Sequence, residues 1–292
     1  MQLSTTISPY YRFSDGSFHS IPDAIRDCVR MGFTVLDFPF HSVPFLADGE
    51  DWKTPVQEAK AVAESLGARF RYAHVPFSYP RPDDTDGWAY FTRRVNRAIE
   101  ACAILGVEWT AIHPYDMAIP DYDADAAFER SINHLTPFAH LAKECGVGLA
   151  VENMVDRVLV PYRRYCATAE NLNAVVDALR EKVGAQTIGI CLDTGHANAC
   201  GLNHAAAIRA FGERLKMLHI NDNFGLSDDH CPPFTATVNW KRLMLALREI
   251  EYPGDFNYEV DVSRIPSDAC AARDAYVGYL VEIGKYLIAY EG

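Results

Sequence analysis

Two runs decide the fold: VGLAVENM, Val147–Met154, and TIGICLDTGH, Thr187–His196. Each opens on a short apolar stretch and stops at an acidic residue, Glu152 in the first and Asp193 in the second. Neither alternates apolar with polar residues, as expected of strands covered on both faces. Between them a helical pattern runs over 168–184, with a polar entry at Thr168-Ala-Glu170-Asn and Gly184 where a helix end belongs. The unit reads as strand, helix, strand, with a polar tip on each strand.

The same alternation extends in both directions. Further β-rich runs are Leu3–Ser8, Phe33–Phe40, Ala68–Pro76, Val107–His113, Leu215–Asn221 and Asp255–Val260. Helical patterns lie near 20–32, 54–67, 87–106, 123–146, 204–215, 239–251 and 267–290. Ser20 precedes one of them, and Gly32, Gly67, Gly106 and Gly146 stand where helix ends are expected. Strict alternation implies a parallel sheet. Eight units without a linker fit an α/β protein with a single (β/α)8 TIM barrel, one domain over residues 1–292. No G-x-G-x-x-G follows the first strand, which argues against a dinucleotide fold.

Composition narrows the function classes. The chain has 27 Lys plus Arg and 39 Asp plus Glu, a net charge of −12, which disfavours loose binding to a phosphate backbone. No apolar run approaches membrane-spanning length, and the N-terminal segment lacks the pattern of a secretory signal, so no membrane partner is expected. The 8 cysteines show no compact zinc spacing and read as reduced, mostly buried thiols of a cytoplasmic protein.

In such a barrel, chemistry gathers at the carboxyl ends of the strands. Those ends are His74 in RYAHVPF, His113 in AIHPYD, Glu152 in LAVENM, Asp193 with His196 in CLDTGH, His219 in MLHINDN and Glu259 in NYEVD. Taken singly, each could be a capping or hydrogen-bonding group. Six consecutive strands ending this way point instead to a metal site. Residues two apart share a strand face, so Ala150 and Gly148 lie beneath Glu152, and Cys191 and Gly189 beneath Asp193. Small residues under a polar tip suit a crowded interior with the ligand at its mouth. Converging carboxylates need protonation or a cation, and two Glu, one Asp and one His suit a divalent ion. For His74 and His113 alone, substrate contact or rim hydrogen bonding stays as good a reading as ligation.

The motifs VEN (151–153), CLDTGH (191–196), HINDN (219–223), DDH (228–230) and YEV (258–260) resemble the xylose-isomerase-like sugar isomerase/epimerase superfamily. That superfamily includes ketose 3-epimerases, inosose dehydratases and hydroxypyruvate isomerases. The resemblance covers essentially the whole chain and is clearest from Val147 to Val262. It implies one divalent ion (Mn²⁺, Mg²⁺, Co²⁺ or Zn²⁺) held by Glu152, Asp193, His219 and Glu259, and contact of His196 with substrate oxygen. The same fold family contains the endonuclease IV type of DNA-repair enzyme with three zinc ions. Its additional ligands match His74, His113, His196, Asp228 and His230. Against that reading stand the net charge of −12, the lack of basic, Gly-rich DNA-gripping loops and the stretch CPPFTATV, Cys231–Val238. This stretch lacks the G-x-G often found after the D-x-H motif, which bears on the local loop shape and on any third ion.

The expected chemistry is isomerisation or epimerisation of a small sugar, sugar phosphate or polyol through a metal-stabilised enediolate. Glu152 and Glu259 serve as base and acid on either side of the carbon. His74, His113, His196, Asp228 and His230 would bind substrate. The alternatives are a metal-dependent lyase or dehydratase on a keto-sugar or keto-glycoside, and a three-zinc phosphodiesterase on abasic DNA. A non-catalytic sugar-binding barrel leaves the four ligands without a reason. Tyr10, Tyr11, Arg12, Phe13, Phe38, Phe40 and His41 could wall the mouth or simply pack. Arg157, Arg163 and Arg164 in DRVLVPYRRY, Asp156–Tyr165, could bind an anion or lie in a solvated loop. Apolar stripes on the outer helices are compatible with a homo-oligomer.

Overall fold

The computed structural model describes residues 1–13, 15–48, 51–115, 123–155 and 164–292. Its strands are β1 (Leu3–Thr6), β2 (Val35–Pro39), β3 (Arg69–His74), β4 (Trp109–Ile112), β5 (Gly148–Glu152), β6 (Ile188–Asp193), β7 (Leu215–His219) and β8 (Phe256–Tyr258). They pair in parallel in the order β7-β6-β5-β4-β3-β2-β1-β8. The seam closes between β7 and β8, where Ile220 N donates to Asn257 O (2.8 Å) and Glu259 N donates to Ile220 O (3.1 Å). The eight-stranded sheet is therefore a single (β/α)8 TIM barrel.

The outer helices are α1 (Ile21–Arg30), α2 (Lys53–Ser65), α3 (Thr85–Leu105), α4 (Ala124–Cys145), α5 (Ala169–Val183), α6 (His204–Phe211), α7 (Trp240–Glu249) and α8 (Cys270–Ala289). Their ends follow capping chemistry. The side chains of Ser20, Asp84, Asp123, Thr168, Asn203 and Asn239 accept from backbone N–H groups in the first turns of α1 and α3–α7. Gly106 and Gly146 close α3 and α4 in the left-handed conformation, at φ 78° and 70°. The helix expected to reach 215 stops at Phe211, since Leu215 already belongs to β7. Three short helices, Ser8–Tyr11, Phe45–Asp48 and Thr194–Ala199, add to the expected set. Elements of four to six residues are too short to show a 3.6-residue period.

Val35, Tyr72, Ala111, Ala150, Cys191 and Met217 fill the barrel interior with Trp109 against them. The glycines of β5 and β6 make that filling possible. A Cβ on Gly148 would stand 2.4 Å from the Trp109 ring, and one on Gly189 would stand 2.3 Å from Lys216 Cγ. A much larger apolar layer lies between the strands and the helices. Together they hold the strand ends rigidly. No helix among the described residues is long and apolar enough to cross a membrane.

Candidate metal centre and active site

Strand register places the polar tips side by side. Glu152 pairs with Cys191 across β5 and β6, and Asp193 pairs with His219 across β6 and β7. Glu259 follows β8 directly, and His113 follows β4. Glu152, Asp193, His219 and Glu259 each offer a ligand atom within 4.8 Å of the others. His219 Nδ1 stands at the centre, 3.0 Å from Glu152 Oε1 and 3.1 Å from Glu259 Oε2.

Two further groups flank this one. Glu152 Oε2 lies 3.2 Å from both His74 Nε2 and His113 Nε2, so Glu152 directs one oxygen to each of two sets of nitrogens. On the other side, Asp228 Oδ2 lies 3.2 Å from His196 Nε2 and from His230 Nε2. The structure brings all nine sequence-selected site residues to one mouth. The missing G-x-G does not prevent the third group, contrary to expectation. Asp222 and Cys231 bond each other's backbone at 2.8 Å in both directions, and the buried Asp222 carboxylate accepts from Ala236 N, Val238 N and Trp240 Nε1. Phe234 takes a positive φ of 65°, so a non-glycine residue makes the turn there.

Hydrogen bonds within the groups, such as His219 Nδ1 to Glu152 Oε1 at 3.0 Å, leave two carboxylate oxygens over. Glu152 Oε2 and Asp228 Oδ1 are buried and make no hydrogen bond among the described residues, despite the two imidazole nitrogens beside Glu152 Oε2. An unpartnered buried polar atom costs about 1–3 kcal/mol, which a cation would offset. The imidazoles are also preset. Nδ1 of His74, His196 and His230 donates to the backbone carbonyls of Val75 (2.8 Å), Asn153 (2.8 Å) and Glu259 (2.7 Å). That fixes a proton on Nδ1 and aims each Nε2 at a carboxylate, so Nε2 is the nitrogen that would ligate an ion once it gives up its proton. The residues present therefore fit divalent ions.

Electrostatics follow the same geometry. Burial pushes Asp193 up to about 6. Burial also raises Glu152, but the charge of His219 and the imidazoles of His113, His219 and His74 beside the carboxyl outweigh it and hold it well below its ordinary range. Burial lowers His113 to about 4. It works against His196 too, yet Asp193 and Asp228 raise that imidazole to about 10. Asp193 keeps its bland role as well: Oδ1 accepts from His196 N at 2.7 Å and caps the helix Thr194–Ala199. Its Oδ2 accepts from Asn221 Nδ2 at 2.8 Å.

A family model described as a xylose isomerase-like TIM barrel matches residues 25–276. The chain belongs to that family. Within it, the chain is 32% identical over 154 residues to a D-psicose 3-epimerase of Enterocloster bolteae, covering 52% of this chain and 46% of that protein. It thus spans less than half the length of that relative. It is 24% identical over 217 residues to a probable endonuclease 4 of Mycobacterium marinum, covering 72% and 81% of the two chains. Among solved structures, a D-tagatose 3-epimerase-like protein superposes with a TM-score of 0.74 at 17% identity, covering 99% of this chain and 98% of that one.

For the aromatic residues near this xylose isomerase-like mouth, packing is the reading that the structure supports. Phe38 and Phe40 are fully buried, with their rings 4.4 Å apart, and pack in the core rather than walling the mouth. Tyr10, Tyr11 and Phe13 are likewise buried. Arg157 and Arg163 lie outside the described residues. Sequence reasoning missed Asp37, Asn153 and Asn221. Asn153 Oδ1 accepts from Asp193 N at 2.7 Å and its Nδ2 donates to Asp193 O at 3.0 Å, tying β5 to β6 at the ligand layer. Asn153 and Asn221 each follow a strand-end ligand within two residues, which is the signal that could have found them.

Proposed function

We propose that the protein is a divalent-metal-dependent isomerase or epimerase acting on a small carbohydrate. The observation that carries this reading is the convergence of Glu152 and Glu259 on His219 Nδ1, at 3.0 and 3.1 Å, with Asp193 in the same group. An ion held by these four residues would supply Lewis acidity toward neighbouring oxygens of a polyol or ketose. The two carboxylates differ in access. The Glu152 side chain is 1% exposed and that of Glu259 is 23% exposed, so Glu259 faces the open mouth and can exchange its proton with solvent. Glu259 would take a proton from the carbon beside the carbonyl and Glu152, entering the step protonated, would deliver another to the opposite face; the two carboxyls thus exchange protonation states, and the reverse reaction exchanges their roles. His196, Asp228, His230 and His113 line the open side and would orient substrate hydroxyls. The similarity to D-psicose 3-epimerase supports a ketose as the first substrate class to try.

The test combines metal content with solvent exchange. Protein purified without chelator is expected to carry about one divalent ion per chain. Incubated in D₂O with a panel of ketoses, it should place deuterium on the carbon next to the carbonyl of recovered substrate. Absence of exchange from loaded protein across the panel would overturn the reading. An enone chromophore in place of exchange would redirect it to a lyase or dehydratase.

A second reading rests on the two flanking groups, His74–His113–Glu152 and His196–Asp228–His230, each gathered within 4.8 Å. They suit a three-ion phosphodiesterase, and the similarity to a probable endonuclease 4 supports it. The net charge of −12 weighs against a DNA substrate. About three zinc ions per chain, with chelator-sensitive cleavage of an abasic duplex, would put this reading first.

A further inference from the structure

His219 differs from the other imidazoles of the mouth. His74, His196 and His230 rest Nδ1 on a backbone carbonyl, whereas His219 turns Nδ1 toward Glu152 and Glu259 and points Nε2 the other way, toward Asp37 Oδ2 at 3.8 Å. Val35 lines the barrel interior, so Asp37, two residues further along β2, faces inward one layer higher. It is 2% exposed. Its Oδ2 accepts from Asn257 Nδ2 at 2.7 Å, and Asn257 Oδ1 in turn accepts from Ser4 Oγ at 2.8 Å. Ser4, Asn257 and His219 are equally buried. Residues of β1, β8 and β2 thus form a hydrogen-bonded chain that ends beneath one ligand of the proposed ion.

A buried carboxylate is costly unless it is paired, and no Lys or Arg among the described residues pairs with Asp37. The group that faces it is His219. At 3.8 Å the contact is longer than a hydrogen bond, and a ring shift of about 0.9 Å closes it to N–H···O length. Ligating histidines commonly donate their second N–H to a carboxylate or a carbonyl, which sets tautomer and ring orientation. Here backbone carbonyls serve His74, His196 and His230, and a carboxylate faces His219, the histidine of the four-residue group.

We propose that Asp37 is a positioning residue that holds the Nε2–H of His219 and so presents an unprotonated Nδ1 to a divalent ion bound with Glu152, Asp193 and Glu259. This rests on the metal site proposed above, and adds to it a charged support one layer below the ligands. The chain Ser4–Asn257–Asp37 keeps that support in register.

The test uses the full chain stripped of metal, titrated with Co²⁺ by calorimetry. Asp37→Asn keeps the volume and the acceptor but removes the charge, and should weaken Co²⁺ binding about 10–100-fold at unchanged stoichiometry. Ser4→Ala, which removes only the far end of the chain, should weaken it in the same direction by less. In Zn²⁺-loaded protein labelled with ¹⁵N-histidine, the His219 Nε2–H resonance, assigned by its loss in His219→Gln, should move upfield in Asp37→Asn. A lower melting temperature with unchanged Co²⁺ affinity and an unmoved resonance would mean a purely structural role and overturn the proposal. If Asp37→Asn does not fold, Ser4→Ala decides by the same two readouts. Should the wild-type chain bind no Co²⁺ at all, the metal site falls and this inference with it; tight wild-type binding with an indifferent Asp37 variant removes the inference alone.

Discussion

The barrel carries buried carboxylates at both ends, and the two ends neutralise them differently. At the amino ends of the strands, Asp255 is 2% exposed and fully matched. Its Oδ2 accepts from Arg71 Nη1 at 2.7 Å and its Oδ1 from Gln2 N at 2.8 Å, while its own N–H donates to Tyr72 OH at 2.9 Å. Arg71 also bonds Glu108 at 2.8 Å. At the carboxyl ends, Glu152, Asp193, Glu259 and Asp228 meet imidazoles instead, and Glu152 Oε2 and Asp228 Oδ1 are left without a hydrogen bond. A permanent cation with five donors closes the floor. Among the described residues, the acids of the mouth meet imidazoles and no Lys or Arg. The same residue types are therefore fully paired at one end and left with spare acceptors at the other.

The largest effects should separate along that line. Glu152→Gln is expected to lower solvent exchange of substrate by about 10²–10⁴-fold, the range for losing a general acid–base group. It should cost less stability than Asp255→Ala, because glutamine keeps the volume and an oxygen that can face His219 Nδ1. Asp255→Ala should do the reverse. It removes one of the two carboxylates of Arg71 and the acceptor of Gln2 N, and is expected to destabilise by about 1–3 kcal/mol, with metal content and exchange per folded molecule unchanged. Denaturant unfolding of both variants, run beside metal analysis, checks the pair. If Glu152→Gln unfolds as readily as Asp255→Ala, the contrast between mouth and floor is wrong.

Much of this contrast was legible in the sequence because it lies at boundaries. Strands β3 to β8 each carry a polar tip that marks both where the strand stops and where the candidate site begins. All six tips from His74 to Glu259 fall within a residue of a strand end. Capping residues such as Ser20, Thr168 and Gly146 are equally local signals. Asp37 was not legible. It sits inside VLDFPF as one polar letter in an apolar run; its partner Asn257 is 220 positions away, and Ser4, which bonds Asn257, lies 33 positions before Asp37. Only barrel closure brings those strands together. The loop after DDH was misjudged for a related reason. The missing glycines predicted a lost shape, whereas the Asp222 carboxylate and a left-handed Phe234 supply the turn by long-range bonding.

An intermediate effect tests how tightly the mouth is built. Gly195 lies inside CLDTGH, and a Cβ there would stand 1.8 Å from Asn221 Oδ1. Asn221 cannot yield freely, since its Nδ2 holds Asp193 Oδ2 at 2.8 Å. Gly195→Ala should therefore destabilise by about 1–3 kcal/mol, the usual cost of overpacking. It should also weaken Co²⁺ binding by displacing Asp193. Gly148→Ala, which meets the Trp109 ring deeper in the barrel, should cost similar stability with no direct route to the ligands. Equal loss of metal affinity in both variants would show that general loosening, not the Asn221–Asp193 contact, governs the site.

The smallest effect belongs to a third kind of carboxylate, matched by arginine like the floor but exposed. Arg30 at the end of α1 forks onto Asp274 of α8, with Nη1 and Nη2 each 2.8 Å from an oxygen, and Tyr10 OH donates to the same carboxylate at 2.7 Å. The pair clasps the first helix of the ring to the last. Its side chains are 50% and 33% exposed, so solvent screens most of the attraction and Asp274→Asn should cost only about 0.2–1 kcal/mol at neutral pH. The bond from Arg30 is the main reason that the Asp274 carboxyl lies below its ordinary value. A carboxyl lowered by folding contributes stability above its unfolded pKa, near 3.9, and loses that contribution as pH falls through the folded value. The difference between wild type and Asp274→Asn should thus be constant from pH 7 to about pH 5 and shrink as pH falls through the lowered folded value. Urea unfolding across that range checks it, and a difference that persisted unchanged into acid would assign the clasp to packing of the Arg30 and Tyr10 side chains rather than to charge.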